Sequence, residues 1–162
     1  MTEWLTDEEL RAWIAYIDLS TLLGDHLDRQ LKRDARMPHV CYNLLVRLSA
    51  APGRSLRMTE LAEQLKITRG RLSHTLASLE DQGWVTRRAD PGDKRGQVAA
   101  LTDAGATAIA AAAPGHVAAV RRAVFDRLTP EQVRQLTVIA ETITAGLTGD
   151  AKGPAELPWR RR

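Results

Sequence analysis

The sequence predicts a mainly α-helical fold with one small β-hairpin, and three observations carry this prediction. Apolar residues recur at helical spacing through most of the chain. Two short helical segments follow each other closely between residues 59 and 83, and the second opens at a polar residue. Two strand-like segments then flank a Pro-Gly pair at residues 91 and 92. Long helices on both sides of this central part complete the predicted architecture.

Length and composition indicate a globular protein rather than a disordered or secreted one. The chain has 162 residues, of which 44% are hydrophobic and 27% charged, so it can bury a core. Cys41 is its single cysteine, which excludes an internal disulfide. The N-terminus lacks the basic start and apolar run of a secretory signal, and no stretch is apolar enough to span a membrane. We therefore expect a cytoplasmic protein without a membrane segment.

Charge is distributed unevenly along the chain. Residues 1–34 hold 4 Lys/Arg and 8 Asp/Glu, a net charge of −4. Residues 35–101 hold 11 Lys/Arg and 6 Asp/Glu, a net charge of +5. A basic block between acidic and neutral flanks is typical of a nucleic-acid-binding module carried on segments with another task.

Thr6 and Glu9 have the spacing of a capping box at the start of a long first helix over residues 6–34. At about 1.5 Å per residue this helix is about 40 Å long, more than a small core can cover. Its apolar residues fall on one face: Leu10, Trp13, Ile14, Ile17, Leu27 and Leu31. This face requires a partner. A second helix is expected after Pro38, and its buried residues are predicted to be Val40, Leu44, Leu45 and Leu48.

Residues 59–83 fit two helices joined by a tight turn, with Thr59 expected to cap the first helix and Thr68 the second. At 100° per residue, Leu72, Leu76 and Leu79 share one face of the second helix and are expected in the core. The opposite face carries small, basic or hydroxylated residues: Gly70, Arg71, His74, Ala77 and Ser78, with Arg69 and Ser73 at its edge.

Arg69 and Arg71 lie in the first turn of this second helix, where the helix macrodipole favours acids instead of bases. One interpretation is an ordinary solvated helix start. A phosphate group approaching this end would reverse the penalty, because the helix N-terminus and both guanidinium groups would then face an anion. The placement therefore favours a surface that binds a polyanion.

A basic hairpin is predicted directly after this helix, which ends at Gly83. "WVTRR", residues 84–88, is predicted as a strand with Val85 facing inward, and "QVAALT", residues 97–102, as its return strand. "ADPGDKRG", residues 89–96, is predicted as the turn between them. If the hairpin were an ordinary solvated one, Lys94 and Arg95 would serve solubility. That interpretation does not explain why a basic hairpin directly follows a basic helix.

Two further helices are predicted in the C-terminal part. Thr102 is expected to cap a long helix that reaches Leu128 and is kinked or interrupted at Pro114. Thr129, Pro130 and Gln132 have the order of cap, first helical residue and capping-box partner for a last helix. Its apolar face comprises Leu136, Ile139, Ala140, Ile143 and Leu147. Residues 149–162 have the Gly, Pro and charge content of a flexible tail.

This order of elements resembles the MarR family of winged helix-turn-helix transcriptional regulators over nearly the whole chain. "DKRGQVAALTDAG", residues 93–105, is similar to the family's Asp-x-Arg wing tip, return strand and Leu-Thr-x-x-Gly helix start. "MTELAEQLKITRGRLSHTLASLEDQGWVTR", residues 58–87, is similar to its helix-turn-helix, and "LTPEQVRQL", residues 128–136, to the start of its last helix.

The resemblance implies a winged helix-turn-helix lobe, residues 38–101, between N- and C-terminal dimerisation helices at residues 6–34 and 102–148. It implies a homodimer that binds successive major grooves of a palindromic operator in double-stranded DNA, more often as a repressor than as an activator. The residues it places at DNA fall into three groups. The major-groove and phosphate group is Thr68, Arg69, Arg71, Ser73 and His74. Further phosphate contacts are Arg87, Arg88 and Lys94, and the minor-groove residue is Arg95, held by Asp93.

Other functions have weaker support in the sequence. The four histidines are scattered and no phosphate-binding glycine loop is present, so we expect neither an enzyme nor a cofactor. A winged helix that docks protein instead of DNA would require acids or large apolar residues on the outward face of residues 70–78. His39 and Cys41 do not share a helix face, so no metal site is expected. Cys41 is expected to be a buried structural thiol, with redox sensing as the alternative.

Many MarR family members bind small aromatic effectors between the dimerisation helices and the winged lobe. Four residues of this sequence are candidates for such a crevice: Trp13, Tyr16, His39 and Tyr42. The alternative is that they pack the first helix against the second.

Overall fold

The computed structural model describes residues 3–90 and 92–148, and within them the backbone alone of residues 93–95 and 148. Six α-helices and a three-stranded sheet make up the described part. The predicted flexible tail, residues 149–162, lies outside the described residues.

Helix α1 spans Asp7–Ala35 and agrees with the long first helix predicted over residues 6–34. Its capping box forms as predicted: the Thr6 N–H donates to Glu9 Oε2 at 2.8 Å, and the Glu9 N–H donates to Thr6 Oγ1 at 3.3 Å. Only the C-terminal half of α1 packs on this chain, through Leu27, Gln30 and Leu31. The apolar residues of its N-terminal half stay exposed.

The core of the winged lobe is formed by α2 (His39–Ala50), α3 (Met58–Leu65) and α4 (Arg69–Asp81). Most side chains predicted to face inward do so, since Leu44, Leu45, Leu48, Leu72, Leu76 and Leu79 have no exposed surface, whereas Val40 is only partly buried. Leu61 of α3 is also completely buried. Complete burial stabilises the fold by about 1.5–3 kcal/mol for each of these leucine side chains. It orients α4 with its basic face outward.

The N-terminus of α3 differs from the prediction. The helix begins at Met58, so that Arg57 and not Thr59 occupies the N-cap position. Glu60 compensates for the missing hydroxyl cap, because its Oε2 accepts the Arg57 N–H at 3.3 Å. The polar cap at Thr68 is correct: its Oγ1 accepts the Arg71 N–H at 3.3 Å.

The sheet contains β1 (Ser55–Arg57), β2 (Val85–Asp90) and β3 (Asp93–Leu101) in the antiparallel order β1-β3-β2. Val98 pairs with Arg57 on one side and Arg88 on the other. The turn predicted over residues 89–96 is too long, since the strands pair as far as Asp90 and Asp93. Hydrogen bonds between β2 and β3 extend both strands toward the tip, and a Pro-Gly pair in the sequence does not predict such bonds.

Helix α5 spans Asp103–Ala123, with Thr102 Oγ1 accepting the Gly105 N–H at 3.0 Å. A Cβ on Gly105 would lie 2.3 Å from the Trp84 carbonyl oxygen, so only glycine allows α5 to start this close to the base of the hairpin. The prediction left open whether the helix is kinked or interrupted at Pro114, and the helix continues through this residue. Ala112 and His116, on either side of the proline, are both buried. The helix ends before the predicted Leu128 and passes into a 3-10 turn, Phe125–Arg127.

Helix α6 spans Pro130–Thr148 and starts with the predicted capping residues. The Thr129 N–H donates to Gln132 Oε1 at 2.9 Å, and the Gln132 N–H donates to Thr129 Oγ1 at 3.2 Å. The apolar residues of α6 remain exposed: Leu136, Ile139, Ala140, Ile143 and Leu147. The first half of α1 and the length of α6 therefore present apolar surface that no other part of the described chain covers.

Candidate nucleic-acid interface

The N-terminal half of α4 presents an uncompensated basic surface. The side chains of Thr68, Arg69, Arg71, Ser73 and His74 are all exposed. Neither Arg69 nor Arg71 forms an ion pair with any described residue, and the first turn of α4 contains no acid. Both guanidinium groups thus stand near the positive end of the helix without an anionic partner. This surface is arranged to gain from a negatively charged ligand.

Apart from its two arginines, the outward face of α4 carries mostly small side chains. Gly70, His74, Ala77 and Ser78 are exposed, and no atom lies within 4 Å of the position a Cβ would take on Gly70. The first acids of the helix, Glu80 and Asp81, lie at its C-terminal end. An α-helix with such a face can enter the major groove of B-DNA without steric conflict.

Arg87, predicted as a phosphate contact, is bound to Glu80. Its backbone N–H donates to Glu80 Oε1 at 3.1 Å, and its Nε donates to Glu80 Oε2 at 2.8 Å. The hydrogen bond from Arg87 lowers the pKa of Glu80, and the same bond raises the pKa of Arg87. The pair ties β2 to the end of α4, so Arg87 is less available to a phosphate than its neighbour Arg88. Arg88 is exposed and has no ion pair within the described part of the chain.

The tip of the hairpin is described by its backbone. Asp93, Lys94 and Arg95 belong to β3, and their side chains lie outside the described part of the structure. The pairing of Asp93 with Arg95 and the minor-groove role of Arg95 therefore remain predictions. The backbone places all three residues at the far end of the hairpin from Val85 and Leu101, which form its buried base.

A cleft of about 420 Å³ separates the start of α4 from the hairpin. Its walls come from three places in the sequence: Arg57, Met58 and Thr59; Arg69, Leu72 and Ser73; Asp90, Gly96 and Gln97. Arg57 Nε lies 2.6 Å from Asp90 Oδ2 in this cleft. Sequence reasoning missed both residues. The Asp-Pro-Gly signature of a side-chain-capped turn was available for Asp90, whereas Arg57 carried no signal of its own.

The four candidate effector residues separate into two groups in one chain. Trp13 and Tyr16 stack on each other, with ring centroids 5.9 Å apart, on the exposed part of α1. His39 and Tyr42 surround His116 of α5, at centroid distances of 5.4 and 4.5 Å. Asp28 accepts the His39 N–H at 2.9 Å, and Trp13 precedes Asp28 along α1 by about 22 Å. The four therefore do not line one crevice within a single chain.

His116 is the centre of a buried polar cluster that the sequence did not predict. Its Nδ1 lies 3.2 Å from Gln30 Oε1, and both residues are buried. Burial lowers the pKa of His116, and the nearby His39 lowers it further. Burial likewise lowers the pKa of His39, although the carboxylate of Asp28 opposes this effect. The cluster joins α1, α2 and α5 through polar and aromatic contacts.

Cys41 is buried on α2, and burial raises the pKa of its thiol. A thiol with a raised pKa holds little of the reactive thiolate at neutral pH. This environment supports the structural interpretation over redox sensing. In the described ranges, 3–90 and 92–148, no group of three or more His, Cys, Asp or Glu side chains is placed to hold a metal ion.

The fold and this surface define a class of protein: a winged helix-turn-helix protein in which the second helix of the helix-turn-helix, α4, has an exposed basic surface. Comparison with known proteins gives the family. The MarR family model matches residues 37–96. Sco3205, a MarR family transcriptional regulator of Streptomyces coelicolor solved in complex with DNA, is 57% identical over 99% of both chains, with a TM-score of 0.89. AbsC, another MarR family regulator of that organism, is 35% identical over 92% of this chain and 100% of its own, with a TM-score of 0.87.

The chain belongs to the MarR family. The curated relative YkoM of Bacillus subtilis (strain 168), an uncharacterized HTH-type transcriptional regulator, is 31% identical over 83 residues. That match spans about half of each protein, 51% of this chain and 53% of YkoM. MarR of E. coli, crystallised with operator DNA, shares the fold at a TM-score of 0.71 and 22% identity. None of the helices in the described residues is long and apolar enough to cross a membrane.

Proposed function

We propose that this protein is a cytoplasmic transcriptional regulator that binds double-stranded DNA in a sequence-specific manner, as a homodimer on a palindromic operator, and acts as a repressor. The uncompensated charge of Arg69 and Arg71 on the exposed start of α4 carries this proposal, because a DNA backbone supplies the missing anions. The solved complex of its relative Sco3205 with DNA supports the same assignment.

The homodimer is supported by the exposed apolar faces of the two terminal helices. On α1, Trp13 and Ile14 are 53% and 51% exposed, and on α6 Ile139 and Ile143 are 56% and 50% exposed. Contiguous apolar surface of this kind marks a protein interface. Residues 6–34 and 102–148 form the dimerisation part and residues 38–101 the DNA-binding lobe. A two-fold axis then places two copies of α4 about 34 Å apart, one turn of the duplex.

Each part of the surface has its own role in the proposed complex. Thr68, Arg69, Arg71, Ser73 and His74 enter the major groove or contact its phosphates. Arg88 and Lys94 contact phosphates beside the wing, and Arg87 contributes mainly through its bond to Glu80. Arg95, oriented by Asp93, enters the adjacent minor groove, where a planar guanidinium is favoured.

A small aromatic effector that releases the operator is part of the proposal. The polar and aromatic cluster of His39, Tyr42 and His116 lies between α1, α2 and α5, where a bound ring could alter the position of the lobe relative to the terminal helices. Trp13 and Tyr16 join such a site only from the other subunit, since they lie far from His39 on their own chain.

The experiment selects bound duplexes from a random-sequence library and follows the strongest by gel shift across a salt series. We expect a linear fall of log affinity with log salt, reduced in slope by about 0.9 for each phosphate contact removed. Arg71→Ala is the test variant. Arg29→Ala removes the same charge from an exposed position on α1 and is its control. Enrichment of no sequence, with binding independent of salt, would contradict the proposal and favour a protein-docking module.

A further inference from the structure

The ion pair of Arg57 and Asp90 bridges the cleft between the helix-turn-helix and the wing. Arg57 lies at the end of β1 and at the N-cap of α3, whereas Asp90 ends β2 at the outer part of the hairpin. Arg57 Nε is 2.6 Å from Asp90 Oδ2. The same cleft is lined by Arg69 and Ser73 of α4, so the pair lies directly beside the surface proposed to meet DNA.

Asp90 is the buried residue at the outer end of β2, a position where an apolar side chain would be expected. Val85 is buried at the base of the strand, and the next four residues, 86–89, are all exposed. Asp90 is then buried again, with its side chain 7% exposed. A carboxylate is an expensive group to bury unless a cation compensates for it. Its burial at this position therefore depends on Arg57.

Both oxygens of Asp90 are used locally. Oδ1 accepts the Gly92 N–H at 2.8 Å, which shapes the turn of the hairpin. Oδ2 is buried and accepts no hydrogen bond from the described residues, so its charge is met by the adjacent guanidinium. Arg57 also reaches the turn itself, since its Nη2 lies 3.5 Å from where a Cβ on Gly92 would stand. The guanidinium group of Arg57 thus pairs with the end of β2 and lies close to the turn.

We propose that Arg57 and Asp90 are positioning residues that fix the wing relative to α4, so that both reach their grooves of the duplex at once. The inference rests on the proposed function. Without the pair, the hairpin keeps its buried base at Val85, Val98 and Leu101 but loses its attachment to the helix-turn-helix at the outer end. The wing tip then samples several positions in the free protein. Ordering it on DNA costs entropy, which weakens binding.

Asp90→Asn distinguishes a purely electrostatic role of Asp90 from a positioning role, because the two predict opposite changes in DNA affinity. The substitution removes one negative charge beside the DNA-binding surface, so electrostatics by itself predicts tighter binding. Positioning predicts weaker binding, because the ion pair is lost. The asparagine retains an oxygen that can accept the Gly92 N–H, so the turn keeps its hydrogen bond. Arg57 is half-exposed and can be solvated when its partner is neutral.

The experiment measures binding to the duplex that the wild-type dimer selects from the random library, by gel shift at fixed salt. We expect Asp90→Asn to weaken binding about tenfold, the equivalent of about 1.4 kcal/mol. Asp81→Asn is the matched control, since Asp81 is an exposed acid of the same lobe without an ion pair among the described residues. It should leave binding unchanged or tighten it slightly.

A second background separates positioning of the wing from a general structural effect. In Arg95→Ala, which lacks the proposed minor-groove residue, Asp90→Asn should cost less than twofold, because the contact it positions is already absent. Equal weakening in both backgrounds, or tighter binding by Asp90→Asn alone, overturns the inference. Asp90→Ser, whose hydroxyl oxygen can also accept the Gly92 N–H, replaces Asp90→Asn if that variant melts below the assay temperature. Absence of any selected duplex for the wild type would reject the proposed function instead.

Discussion

Glu80 and Arg87 bind each other across the junction of α4 and β2: the backbone N–H and Nε of Arg87 donate to the Glu80 carboxylate at 3.1 and 2.8 Å, and Arg87 Nη2 donates to it as well. The pair ties the hairpin to the C-terminal end of α4, whereas the ion pair of Arg57 and Asp90 ties the outer end of β2 to the start of α3. Two neighbouring arginines of one strand are thereby different: Arg87 has a partner within the protein, and Arg88 has none among the described residues.

We expect Arg88→Ala to lower the slope of log affinity against log salt by about 0.9, the value for one phosphate contact, without changing the melting temperature. Arg87→Ala should lower the slope less and reduce the free energy of unfolding by at most about 1 kcal/mol, as for a partly exposed ion pair. Gel shift and thermal unfolding measure the two effects. A larger slope change for Arg87→Ala than for Arg88→Ala would contradict this division of roles.

Leu76 and Ala77 are adjacent on α4 but face the core and the solvent, respectively. Leu76→Asp should lower the free energy of unfolding by about 3–5 kcal/mol, because it buries an unpaired charge among leucines. Ala77→Asp should leave unfolding within about 0.5 kcal/mol and weaken DNA binding by placing an acid on the proposed groove surface. Urea denaturation and gel shift distinguish the two. Equal destabilisation by both variants would show that the assigned faces of α4 are wrong.

The His116 cluster should make the protein acid-sensitive. Burial lowers the pKa of His116 below its ordinary value of 6.5, so the unfolded state binds the proton more readily than the folded state. Stability is therefore complete above about pH 6.5 and declines as the pH falls below that value toward the lowered folded pKa. His116→Gln should flatten this decline, measured as melting temperature from pH 7.5 to 5, and His26→Gln, at an exposed site, should not. An unchanged pH profile for His116→Gln would exclude His116 as the cause.

The exposed face of α6 should be necessary for dimerisation. We expect Ile139→Asp to raise the dimer dissociation constant by at least about 30-fold, since an unpaired charge at an apolar interface costs about 2 kcal/mol or more. Thr137→Asp, on the same helix and also exposed, is the control because it lies outside the apolar face. Sedimentation velocity over a concentration series measures both. Dimers of Ile139→Asp at wild-type affinity would show that the partner packs elsewhere.

Local signals account for the parts of the fold that sequence reasoning predicted. The cap of Thr6 with Glu9, the cap of Thr68 and the inward leucines of α4 depend on residues three or four positions apart, which a helix brings together by itself. The MarR resemblance, confirmed by the comparisons, depends on the same ordered motifs. Thr59 as a cap was wrong because the N-cap lies two residues earlier, at Arg57, whose backbone N–H donates to the Glu60 side chain.

By itself, the sequence determined the helices, their buried and exposed faces, the family, and the basic surface at the start of α4. Tertiary structure alone decided the partners of Arg57, Arg87 and His116, and the true length of the hairpin strands. Those contacts join residues of different elements, from 7 positions apart for Glu80 and Arg87 to 86 positions for Gln30 and His116. Charge, periodicity and spacing report which groups a segment carries. Which groups meet is set by the packing of separate helices and strands around one core.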